Sequence, residues 1–159
     1  MKMLKTFTPW VVVLALIGFG IYKITTAPTV PQDKIVSRDG LHWHAHLTIK
    51  INGKEEAIPG EIESVAEMNL HTHETNGIIH AEFAGLVTKD QLHLKNFFSI
   101  WGKDFSKDSI LGHKTGDEGT VKMFVNGEPN YDFENYIITG QGTYEYGPDK
   151  IDDIEIIYE

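Results

Sequence analysis

Residues 41–51 alternate with a period of two. From Leu41 onward, Trp43, Ala45, Leu47, Ile49 and Ile51 take one set of positions, and His42, His44, His46, Thr48 and Lys50 take the other. That alternation predicts a strand with one face on a core and the three histidines on the opposite face. Asn52-Gly53 follows. Both residues accept positive φ, as a two-residue type I′ turn requires, so Lys54 to Pro59 is predicted to return as a second strand. Asn76-Gly77 carries the same signal inside the stretch from Asn69 to Phe83. A two-residue turn there pairs His73 with His80, His71 with Glu82 and Leu70 with Phe83. His71, His73, His80 and Glu82 then leave the ribbon on one face, and Leu70, Ile79, Ala81 and Phe83 on the other. Opposed Cβ atoms lie about 5 Å apart and a metal–imidazole bond is about 2 Å, so these side chains can converge on one ion.

Residues 60–68 read as an acidic connection. Thr88 to Gln91 has the form of a capping box, and Leu94, Phe97, Phe98 and Trp101 then form one apolar stripe at helical spacing. Gly102 ends that helix, with His93 predicted on its polar side. Residues 103–119, including His113, read as a polar loop. Thr120 to Val125 is a predicted strand leading into a third Asn-Gly turn at 126–127, and Tyr136 to Thr139 and Ile151 to Tyr158 supply further strands. The order predicts an α+β domain over 41–159, mainly antiparallel sheet with several Asn-Gly hairpins and one short amphipathic helix.

The amino-terminal pattern is different. Residues 6–22 carry no charge, with Lys2 and Lys5 before them, Lys23 after them, and Trp10 and Tyr22 near the ends. This predicts a transmembrane signal anchor over 6–24, behind a cytoplasmic tail at 1–5. Pro28 opposes cleavage after Thr25-Thr26-Ala27. Residues 25–40, with Pro28 and Pro31, read as a linker, and the β-rich domain is expected outside the cell membrane with the lipid bilayer as a partner.

Charge narrows the partners. Four of the fourteen basic residues and one of the twenty-three acidic ones precede residue 38, leaving ten basic against twenty-two acidic in the remainder. Such a domain repels nucleic acid and anionic lipid. The chain has no cysteine, which excludes disulfides and thiolate metal sites.

Six of the eight histidines fall between 42 and 80. His42, His44, His46, His71, His73 and His80, with Glu82, form the candidate metal set, and at least one of the first three is expected to complete a site on the last three. Imidazole and carboxylate without thiolate suit a divalent transition metal, with zinc or copper favoured over nickel or iron. One role is metal acquisition, buffering or delivery. A metal-dependent enzyme at the same site is an alternative, either a zinc hydrolase or hydratase or a non-haem iron centre with two His and Glu82. An interaction module with incidental histidines is another, and a pH sensor a further one.

The stretch 41–101 resembles a family of uncharacterised secreted or membrane-anchored prokaryotic proteins. The motifs that carry the resemblance are His42-x-His44-x-His46 with Asn52-Gly53, Leu70 to His73, Gly77 to Glu82, Phe97 to Gly102, and the Phe-Val-Asn-Gly strand at 124–127. The resemblance implies a secreted or anchored location and no particular activity.

Overall fold

The computed structural model describes residues 7–26, 29–63, 69–140 and 151–159. It divides into two units, residues 1–32 and 33–159.

The first unit holds helix α1, Phe7–Thr25, with Trp10, Leu14, Ile17, Phe19 and Ile24 all exposed. Thr25 and Thr26 cap its end by donating their hydroxyls to the Tyr22 carbonyl at 3.1 and 2.7 Å. Among the described residues, no helix is long and apolar enough to cross a membrane. Nineteen residues rise about 28 Å at about 1.5 Å each, against a hydrocarbon core of about 30 Å.

The second unit is α+β, mostly antiparallel sheet. In chain order its strands are β1 (Ile35–Ser37), β2 (Leu41–Ile51), β3 (Lys54–Glu56), β4 (Leu70–His71), β5 (Ile78–Phe83) and β6 (Val87–Thr88). After helix α2 (Leu94–Trp101) come β7 (Phe105–Ser106), β8 (Ser109–Ile110), β9 (His113–Lys114), β10 (Val121–Val125), β11 (Glu128–Pro129) and β12 (Asp152–Tyr158). The main sheet runs β11-β10-β12-β2-β5-β4, with β3 also on β2. Strand β2 is its axis. Ala45, Leu47, Ile49 and Ile51 are buried as the alternation requires. They pack in one core with Ile79, Ala81, Ile154, Ile156 and the α2 residues Leu94, Phe97 and Phe98. Each of these large side chains contributes about 1.5–3 kcal/mol by leaving water.

Two of the three Asn-Gly turns form as expected. Ile51 pairs with Lys54 across Asn52-Gly53, and Val125 with Glu128 across Asn126-Gly127. Asn52 and Asn126 take φ of 50° and 53°. The return strand β3 stops at Glu56, short of Pro59. The third turn does not form as predicted. Leu70 pairs with Ala81 and His71 with His80, so His71 is not opposite Glu82, His73 lies outside the strand, and residues 72–77 make a longer loop. A tertiary contact overrides the local signal. The Gly77 carbonyl accepts the Leu47 amide at 2.9 Å, extending the β2–β5 ladder, and a Cβ on Gly77 would stand 2.5 Å from the Leu47 oxygen. Glycine is there for close approach, and Asn76 instead accepts the Ile78 amide on its side chain at 3.0 Å.

Other expectations also change. Strand β12 pairs in parallel with β2, Asp152 opposite Ala45 through Tyr158 opposite Ile51. Ile35–Ser37, read as linker, pairs with β6. The expected loop at 103–119 contains the three-stranded sheet β7-β8-β9, because Phe105 and Ile110 are buried there. The expected strand at 136–139 reduces to one bridge between Ile137 and His93. The capping-box residues Thr88 and Gln91 start a 3-10 turn at 89–92, and α2 begins only after His93, with Gly102 closing it at φ 70°.

Candidate metal centre

The site is a row laid across three strands. His42 and His44 leave β2 on the face opposite Ala45. Strand β5 is antiparallel to this half of β2, with His42 opposite Glu82 and His44 opposite His80. On the other edge of β5, β4 sets His71 opposite His80. His80 is therefore central. Its ring lies 4.6 Å from that of His44 on one side and stacks at 5.4 Å on that of His71 on the other.

His73 reaches the row from the loop after β4. Its ring lies 4.5 Å from that of His80, and its Nε2 is 3.2 Å from Nε2 of His71. Buried Thr72 fixes this placement. It donates its amide to Ile62 and its hydroxyl to the Pro59 carbonyl, and its own carbonyl accepts the Glu61 amide. That ties 72–73 to the segment 59–62.

Burial grades across the row. His44 and His71 are buried, at 4% and 5% exposed, while His80 is half-buried and His42, His73 and Glu82 face solvent. The Gly140 backbone passes so close to the His44 backbone carbonyl that no side chain fits at Gly140. The Nδ1 of His80 is buried without a hydrogen-bond partner among the described residues. Burial, then the neighbouring His44, His73 and His71, push the His80 imidazolium down to about pKa 4, with Glu82 opposing. His80 is thus neutral at physiological pH, the form that coordinates metal.

Two overlapping groups emerge, each with its donor atoms within 4.8 Å of one another: His71, His73, His80 and Glu82, and His42, His44 and His80. Donors on a tetrahedral ion with bonds of about 2 Å lie about 3.3 Å apart. The His71–His73 nitrogens already stand at that separation, at 3.2 Å. A cleft of about 580 Å³ opens at the exposed end, lined by His42, His71, His73 and Glu82 together with Leu41 and Phe83.

Six of the seven sequence candidates are brought together. His46 is not, because its Nδ1 is 2.8 Å from Asp153 Oδ1 on β12. His42 and His44 group with His80 and not with His71 and His73. Glu82 is also 2.9 Å from His42 Nε2 and so links the two groups. His93, expected on the polar side of the helix, precedes α2 as its N-cap, with Nδ1 buried and its pKa lowered by that burial and by Lys95. His113 is exposed, 5.1 Å from the Tyr158 ring. The sequence pattern gave no sign of the His46–Asp153 contact, which joins residues far apart in the chain. The lateral row through His80 was hidden by the wrong register. No family model matches the chain, and neither a curated protein nor a solved structure matches it.

Proposed function

We propose that this protein binds a divalent transition metal, zinc or copper before nickel or iron, through His71, His73, His80 and Glu82. Its role in this reading is acquisition, buffering or delivery of the ion outside the cytoplasm. The 3.2 Å separation of the His71 and His73 nitrogens, beside a half-buried neutral His80, carries the reading. Imidazole nitrogen with one carboxylate and no thiolate suits these metals. We propose also that α1 anchors the chain in the bilayer. Its described side chains are apolar on every side, with Lys23 at one end and Lys2 and Lys5 in the sequence before it.

The test is elemental analysis of the full chain, purified in detergent without a histidine tag, beside melting curves with and without added Zn²⁺ or Cu²⁺. Bound metal and a raised melting temperature are expected, because an ion that binds only the folded form stabilises it. No metal and no shift with any divalent ion would end the reading.

The cleft favours one second reading, in which the same residues hold a catalytic ion and the cleft admits a small substrate. Turnover of model esters or hydration of small carbonyl compounds by the metal-loaded protein, lost in His73→Ala, would select it over simple binding.

A further inference from the structure

We infer that the centre holds two ions, with His80 shared between them: one on His71, His73 and Glu82, the other on His42 and His44. This rests on the metal-binding reading above and adds the number of ions and the residue that links them.

A four-coordinate ion takes four donors, and the row supplies six. An ion on His71, His73, His80 and Glu82 leaves out His42 and His44, whose rings are 4.7 Å apart. These two do not approach His71 and His73 in either donor group; they converge on His80 from its other side. The second group meets the same bound as the first, with all its donors within 4.8 Å of one another.

Imidazole can serve both because its two ring nitrogens point in different directions. Nδ1 of His80 is buried and has no hydrogen-bond partner among the described residues, so none of them competes for it. When the second ion binds, the remaining ring N–H gives its proton to solvent and each nitrogen donates a lone pair to one ion. The resulting negative ring, with the Glu82 carboxylate beside His42, offsets repulsion between two dications. The acidic balance of the domain acts in the same direction.

The experiment titrates the untagged full chain in detergent with Cu²⁺ and, separately, Zn²⁺, by equilibrium dialysis. Wild type is compared with His42→Ala and His73→Ala, and the copper forms are examined by electron paramagnetic resonance. Exposed His42 can be truncated without opening the core, and metal-free melting curves check that both variants fold. Two ions per chain are expected in the wild type and one in each variant. The two-copper form should show a coupled spectrum, replaced by an isolated Cu²⁺ signal in His42→Ala. One ion at saturation in the wild type, with His42→Ala indistinguishable, overturns the second site and leaves the metal-binding reading standing. Two ions with uncoupled spectra overturn the His80 bridge, and no ion at all overturns both readings.

Discussion

The two halves of β2 share one inner face and differ on the outer one. Ala45, Leu47, Ile49 and Ile51 are buried beneath nearly the whole strand. Above the second half, Lys50 meets Glu155 of β12 at 2.6 Å, a pair that also raises the lysine pKa. Above the first half, His42 and His44 meet His80, and His80 meets His71 and His73. His46 marks the seam, paired with Asp153 as Lys50 is with Glu155. Where charge meets opposite charge, the outer face finishes a sheet. Where imidazole meets imidazole, burial and the neighbouring rings make His80 harder to protonate, so the cluster does not stabilise itself. In the metal-binding reading proposed above a cation complements such a face, and the contrast then separates scaffold from site within eleven residues.

The largest expected effect tests that separation directly. His71→Ala or His73→Ala should weaken Zn²⁺ or Cu²⁺ affinity by at least about a hundredfold, since even outer partners of a ligand typically contribute 10–100-fold. Competition titration against a chelator measures it. Ile49→Ala, under the other half, should do the reverse. It should lower unfolding free energy by about 2–5 kcal/mol in urea, with metal affinity of the folded protein unchanged.

A third effect belongs to pH. Folding depresses the His80 pKa from 6.5 to about 4, so the unfolded chain binds more protons between those values. Stability of the metal-free protein should therefore be complete above about pH 6.5 and fall as pH drops toward 4. Melting curves should show this slope in the wild type and a shallower one in His80→Gln. The smallest change is expected from Lys50→Met. Its ion pair is partly exposed, and such pairs contribute little, so melting temperature should move slightly and metal affinity not at all. A loss of affinity matching that of His73→Ala would erase the boundary within β2.

Local chemistry was legible in the sequence. The extent of β2, the turns at 52–53 and 126–127 and the α2 stripe ending at Gly102 depend on neighbours a few residues apart, and each stands as read. Asn76-Gly77 failed because Leu47, distant in sequence, claims the Gly77 carbonyl. The error moved the partner of His71 by two positions, from Glu82 to His80. An even shift keeps every side chain on its own face, so most of the site survived a wrong register. The partners of His46 and the parallel β12 left no local trace. The small β7-β8-β9 sheet was masked by its polar composition, although Phe105 and Ile110 were the available clue.

The parallel seam between β2 and β12 also sets an order of events. His46 and Asp153 are 107 residues apart, so the sheet's axis cannot gain its second neighbour until the chain has emerged to residue 158. The donor set lies wholly within 42–82 and closes much shorter loops, which carry a smaller entropic cost. The nascent β2–β5 ribbon can therefore gather its imidazoles first, with one edge of β2 still open. Strand β12 then closes that edge beside a row of imidazoles already in place.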